Sequence, residues 1–289
     1  MIETSVAYAK INISLDIVSK MDNGFHHMKM VMQTISLCDE IHLECIPGEG
    51  ISIDAGKPYL PRDDRNIAIK AANAFFNHTG ITGYRTFIKI KKDIPACAGL
   101  GGGSADGACV LRMLDKMFQT GLGRKKLEEI GGTIGSDVPF CIAGGTSLAE
   151  GKGDVLTDLP QMPDCYIVIC KPTFSCSTPE LFGRMKCDKI RARPDTAGLI
   201  GSLGTGDIGG VARRMYNVFE DVLPHGKQDV DEIKSVMLDN GALGAVMTGS
   251  GPAVFGLFDD LVKAENAYGS LKPIFKECHV TQPAARLTI

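Results

Sequence analysis

The stretch Pro95–Ala108, PACAGLGGGSADGA, packs five glycines into the nine residues from Gly99 to Gly107. Glycine weakens helices and strands alike, because it has the most backbone freedom to lose. The neighbours on each side are regular. Thr86–Lys91 reads as a strand. Downstream, Gly107, Val110, Leu111, Leu114, Met117 and Phe118 recur on one helical face, opposite Arg112, Asp115, Lys116 and Gln119. Strand, glycine loop and helix start together make a phosphate cradle: bare backbone approaches the ligand, and unpaired N–H groups and the helix dipole face it. Ser104 adds a hydroxyl. The plainer alternative is a turn with Ser104 or Asp106 as a simple N-cap; so many glycines ahead of a strong amphipathic helix favour the cradle. The G-x-x-x-x-G-K-[ST] pattern is missing, and G-x-G-x-x-G fails at Ser104 and at Asp106. Both the P-loop and the dinucleotide-binding turn are therefore set aside.

Working outward, Ala7, Ala9, Ile11, Ile13, Leu15 and Ile17 alternate with Tyr8, Lys10, Asn12, Ser14 and Asp16, the pattern of a half-buried strand. Further strands are predicted at Met30–Ser36 and Glu40–Cys45, with the turn MDNGFHHM ahead of them. A helix carrying Ala68, Ala71, Ala72, Phe75 and Phe76 follows, with Asp64 as its predicted N-cap. The helix after the glycine loop should stop near Gly121. LPQMP, Leu159–Pro163, marks a boundary before a strand at Tyr166–Cys170. Beyond it come helices near Asp231–Asn240 and Leu261–Leu271, and strands near Leu243–Met247, Ala253–Phe258 and Arg286–Ile289. Helices and strands mix without βαβ alternation, so the fold class is α+β, divided into residues 1–160 and 161–289.

Composition narrows the partners. The net charge is -3, so bulk electrostatics gives no reason to expect nucleic acid or a membrane surface, and an anion must be held by local groups. Gly241–Phe258 carries no charge, but its five glycines and Pro252 suit strand, turn and strand better than a membrane span. The beginning, MIETSVAYAKINISLD, has no basic-then-apolar export signal. The ten cysteines show no C-x-x-C pairs, and are expected as reduced thiols in a cytoplasmic protein.

AYAKINISLDI, IPACAGLGGGSADGA and GALGAVMTGSGPAVFGLF, in that order, resemble the GHMP kinase superfamily over nearly the whole chain. The resemblance implies a ribosomal-protein-S5-like N-terminal domain, a ferredoxin-like C-terminal domain and an active site in the cleft between them. AKIN, the triple glycine Gly101–Gly103, GFHHMKMVMQTISLCD and GGTIGSDVPFCIAGGTSLAEGKGD resemble the branch whose acceptor is a cytidine diphosphate-linked polyol. That branch implies ATP as co-substrate, Mg2+ with it, and phosphorylation of the polyol's 2-hydroxyl. Alternatives are a mevalonate- or homoserine-type kinase, or a non-catalytic nucleotide-binding regulator on the same fold.

Residue by residue, Asp137 matches the family's proton-accepting aspartate and Lys10 its catalytic lysine, with Asn12 two residues on along the same strand face. Pro95, Ala96, Cys97, Ala98, Gly99, Leu100, Gly101, Gly102, Gly103, Ser104 and Ala105 match the ATP loop, and Asn66 and Lys92 match positions near adenosine. His26 falls at the cytosine-recognising position, Phe25 where the family more often has tyrosine, and Thr178 and Phe182 where the second domain completes the base pocket. Thr178 also reads as a helix N-cap before proline. The family often has a second serine where this chain has Ala105; the metal ligand is left unassigned.

Overall fold

The computed structural model describes residues 1–22, 24–190 and 192–289; Asn23, in the turn before His26, and Arg191 lie outside the described residues. Two long antiparallel strands, β1 (Ile2–Lys20) and β2 (His26–Pro47), form the spine of the first sheet. The two strands predicted at Met30–Ser36 and Glu40–Cys45 are one, because Cys38 and Asp39 continue the ladder opposite Tyr8 and Ala7. The chain then runs through β3 (Ile51–Asp54), α1 (Ile67–Thr79), β4 (Tyr84–Lys91), α2 (Gly102–Phe118), α3 (Gly123–Gly132), α4 (Val138–Ala143), β5 (Thr146–Gly151) and β6 (Val155–Asp158). The second half of β2 pairs with β4, and its first half with β5.

β1 corrects the expectation of a single apolar face. Its register with β2 slips between Tyr8 and Lys10, between Asn12 and Ser14, and between Ile17 and Ser19. An inserted residue turns the following side chains to the other face. Ala7, Leu15 and Ile17 therefore pack into one core with α1 and α2, whereas Ala9, Ile11 and Ile13 pack into another with Ile167, Ile169 and Phe255. Lys10, Asn12, Ser14 and Asp16 are buried as well. The strand is covered on both sides.

Two predicted caps also move. Asn66, not Asp64, caps α1: its side chain accepts from the Ala68 N–H at 2.9 Å, directly ahead of the buried Ala68, Ala71, Ala72 and Phe75. Neither Ser104 nor Asp106 caps α2, which begins at Gly102 with Gly101 as its N-cap and no side-chain bond to its first amides. Its far end closes at Gln119 in the left-handed conformation, before Gly121 is reached.

The chain changes sheet between Asp158 and β7 (Tyr166–Lys171). There follow α5 (Thr178–Arg184), α6 (Thr196–Thr205), α7 (Ile208–Arg213), β8 (Tyr216–Asn217), α8 (Lys227–Asp239), β9 (Gly244–Met247), β10 (Val254–Phe258), α9 (Leu261–Leu271) and β11 (Glu277–Thr281). The second sheet runs β11-β7-β10-β9, antiparallel throughout. With α8 and α9 it makes the split β-α-β-β-α-β arrangement of ferredoxin-like domains. Two segments cross back to the first sheet. β8 pairs in parallel with Ser14 and Leu15. The predicted strand Arg286–Ile289 is instead part of an extended tail tied by single bridges, Pro283 to Ile35 and Arg286 to Gly144, because the edge it reaches is already turning at Gly144 and Gly145.

Candidate active site

A cleft of about 780 Å³ lies where the glycine loop, the start of β2 and the second sheet meet. Its floor is β1. The Lys10 backbone N–H, released from the ladder at the first slip, donates to Leu100 C=O at 2.9 Å and so fastens the strand to the loop. The Lys10 side chain, 4% exposed, donates to Asn12 Oδ1 at 2.7 Å and lies 3.4 Å from Asp137 Oδ2. Asp137 immediately precedes α4, but its side chain caps nothing, which leaves the carboxylate turned to the cleft. A buried ammonium between a carboxylate and an amide oxygen is held in one direction, toward whatever carries negative charge above it.

The glycine loop is built on left-handed backbone. Gly99 and Gly101 have φ of +78° and +70°, and both line the cleft. A Cβ on Gly101 would press on Lys10 Cγ at 2.9 Å, and one on Gly99 would collide with the Thr248 carbonyl oxygen. A side chain at Gly102, by contrast, would point away from the cleft onto Ile94 and Lys92. Ala98, Leu100 and Ala105 are buried in the cores, so only their backbones are available to a ligand. The uncapped amides of the first turn of α2 and its dipole are what the loop offers an anion.

At the other end of the cleft, the His26 ring stacks on Phe182 with centroids 4.8 Å apart, and Phe182 meets Phe219 edge-on at 5.1 Å. Phe25 precedes β2, and its ring lies beneath the Lys152 ammonium, 5.5 Å from its centroid. Burial, and then the charge of Lys20, hold the His26 imidazole below its ordinary value of 6.5. Thr178 is the first residue of α5 and Ser177 occupies the N-cap position; the Thr178 hydroxyl donates across the cleft mouth to Ser250 Oγ at 2.8 Å.

Lys10, Asn12, Phe25, His26, Gly99, Gly101, Asp137, Thr178 and Phe182 thus line one cleft. Asn66 and Lys92 do not: Asn66 is engaged as the α1 cap, and Lys92 is ion-paired beneath the loop. The loop at positions 248–251, which carries no predicted site residue, also lines the cleft through Gly249 and Ser250. Thr248 Oγ1 accepts from the Asn12 N–H at 2.9 Å, and Asn217 Nδ2 donates to the carbonyls of Met247 and Gly249 at 2.8 Å each. Lys152 and Asp154, also outside the predicted set, stand at the cleft wall.

Family models described as the GHMP kinases N terminal domain and GHMP kinases C terminal match residues 66–145 and 199–276. The chain belongs to the GHMP kinase family: it is a small-molecule kinase, with ATP as co-substrate. It is 44% identical over 279 residues to the 4-diphosphocytidyl-2-C-methyl-D-erythritol kinase of Clostridium botulinum strain Loch Maree, covering 96% of this chain and 99% of that protein. The enzyme of the same name from strain Eklund 17B is 41% identical over 276 residues, covering 96% and 98%. A crystal structure of 4-(cytidine 5'-diphospho)-2C-methyl-D-erythritol kinase superposes with a TM-score of 0.82 at 26% identity, over 98% of this chain and all of that one. The L. major mevalonate kinase, crystallised in complex with R-mevalonate, shares the fold at a TM-score of 0.75 and 19% identity, over 98% of this chain and 97% of that one. Among the described residues, no helix is long and apolar enough to cross a membrane.

Proposed function

We propose that the chain transfers the γ-phosphoryl group of ATP to the 2-hydroxyl of 4-diphosphocytidyl-2-C-methyl-D-erythritol, a step of the non-mevalonate route to isoprenoid precursors. The observation that carries this reading is the Lys10–Asp137 pair, 3.4 Å apart, in the one cleft that the glycine loop and the His26–Phe182 stack also line. Asp137 accepts the hydroxyl proton as phosphoryl transfer proceeds. Lys10 orients that carboxylate and offsets charge on the migrating group. The loop from Gly99 to Ser104 holds the ATP phosphates on the α2 amides. Mg2+ accompanies ATP. Among the described residues no three His, Cys, Asp or Glu side chains cluster to hold a metal, which suits an ion bound largely by substrate phosphates and water. When bound, it neutralises charge on the β- and γ-phosphates. ADP release measured with the cytidyl substrate, with mevalonate and with homoserine tests the assignment; turnover confined to the first is expected, and turnover confined to either other alcohol would overturn it.

The acceptor's base belongs at the aromatic end, with Phe25, His26 and Phe182 forming its walls. Stacking on an aromatic ring is worth roughly 1–3 kcal/mol per base, so Phe25→Ala should raise KM for the cytidyl substrate about tenfold, with KM for ATP unchanged. The reverse pattern would place the two nucleotides the other way round.

His26 gives the site a pH signature. A neutral imidazole offers one donor and one acceptor, as a cytosine edge requires, whereas the imidazolium has lost its acceptor. Because burial holds His26 below its ordinary value, the neutral form persists through pH 7. KM for the cytidyl substrate should therefore be flat from about pH 8 to 6.5 and rise only at lower pH. In His26→Gln that rise should be absent.

A further inference from the structure

We infer that Asp39 is a positioning residue for the phosphate loop, acting through Lys92 and Asp106; this rests on reading Gly99–Ser104 as the ATP loop. Pairing of β2 with β4 ends at Glu40 and Lys91, and the chain must there leave the sheet for the loop. Asp39, fully buried, takes over where the ladder stops. Its Oδ1 accepts the N–H groups of Asp93 at 2.7 Å and Ile94 at 2.9 Å, and its Oδ2 accepts from Lys92 Nζ at 2.5 Å. Lys92 Nζ also donates to Asp106 Oδ2 on α2 at 2.8 Å. The bridge from β2 to α2 passes directly under Gly102, where a Cβ would come within 3.3 Å of Lys92 Nζ and 3.1 Å of Ile94 Cγ2.

Three ionisable groups are thus buried beneath the loop, and none of them lines the cleft. An apolar floor would serve stability at least as well, since desolvating ions is costly. What the cluster adds is direction: bonds of fixed length and angle locate the first turn of α2 against β2. The two carboxylates outnumber the one ammonium. Burial pushes the Asp106 carboxyl upward, and its Oδ1 has no partner among the described residues. Although burial alone would lower it, the Lys92 ammonium is raised by Asp106 and Asp39. A cluster with one acid in excess tolerates loss of a charge at Asp106 better than loss of Lys92.

Asp39→Asn keeps an oxygen for the two amides but weakens the hold on Lys92. In the full-length enzyme, KM for ATP should rise roughly tenfold, within what an ångström-scale misplacement costs, with kcat and KM for the cytidyl substrate within about twofold. Asp39→Ala, which loses the amide contacts too, should raise it further. A purely structural role would lower the melting temperature and leave the KM split unmoved; a folded Asp39→Asn enzyme with unchanged KM for ATP overturns the inference. If Asp39→Asn does not fold, Lys92→Gln, which removes the ammonium that joins the two carboxyls, carries the test, with a severalfold rise in KM for ATP at unchanged kcat expected and no rise overturning it. Calorimetric titration with ADP separates the two levels. If Gly101→Ala weakens ADP binding and Asp39→Asn does not, this inference alone falls; if neither variant affects ADP, the loop reading falls with it.

Discussion

Replacing Asp137 with asparagine is expected to lower kcat by about 10²-fold or more, the scale of a positioned base, while ADP affinity stays near that of the wild type. The substitution is nearly isosteric. Asp137 makes no capping bond that α4 would miss, and its backbone already has helical φ and ψ of -86° and -11°. What disappears is the proposed proton acceptor and the ionic partner of a lysine that is otherwise held by Asn12 Oδ1. A neutral amide cannot take the hydroxyl proton, and Lys10 loses the group that fixes its direction. Pre-steady-state kinetics should show the loss in the phosphoryl-transfer step. A folded variant with kcat within about tenfold of wild type would remove Asp137 from the role of base.

The second large effect is expected at Gly101. An alanine there adds one carbon in two bad places at once. Its φ of +70° is a left-handed conformation that costs an L-residue roughly 1–2 kcal/mol. The new Cβ would also sit 2.9 Å from Lys10 Cγ and 3.1 Å from Lys10 Cε, so the loop and the lysine must move apart. Gly101→Ala should therefore weaken ADP binding and depress kcat together, with kcat/KM for ATP falling on the order of 10²-fold, as expected for displaced reacting groups. Gly103→Ala is the control: its Cβ meets Ile67 Cδ1 at 3.5 Å and Cγ1 at 4.0 Å, ordinary contacts, and the variant should keep most of its activity. Equal losses in the two variants would mean that the loop responds to rigidity and not to the position of Lys10.

The contrast between those glycines was not legible in the sequence. GLGGG announced that bare backbone was needed, but which glycine faces the ligand depends on where Lys10 and Thr248 lie, and both come from distant parts of the chain. The local signals were legible: the amphipathic stripe of α2, the period of α9 over Leu261–Leu271, and the alternation of β1. The slips in β1 were not, because a bulge is selected by two cores competing for opposite faces of one strand. The sequence shows only the six apolar residues in step. Nor could it reveal that Lys92 is held by two buried carboxylates, since Asp39 is 53 residues away along the chain. Beside its place in the base pocket, Thr178 has the sequence signature of a cap, because threonine before proline usually is one; in the structure Ser177 has that position and the Thr178 hydroxyl reaches Ser250.

The crossing segments change what a broken chain would do. β8 sits within the first sheet although both its neighbours in sequence belong to the second half. The tail returns as well: Ala284 N–H donates to Thr34 C=O at 2.8 Å, Leu287 N–H to Ala143 C=O at 3.0 Å, and Arg286 reaches Thr146 C=O at 3.0 Å. A protease cut in the connector between Asp158 and Tyr166 would sever only the covalent link, leaving these ladders and the shared core of Ile11, Ile13 and Phe255 in place. The two pieces should stay together through a sizing column and retain turnover, parting only in denaturant. Expressed separately, each should be poorly soluble, because each exposes a face that the other was built to cover. The molecule is better regarded as a split protein that happens to be joined than as two modules on a tether.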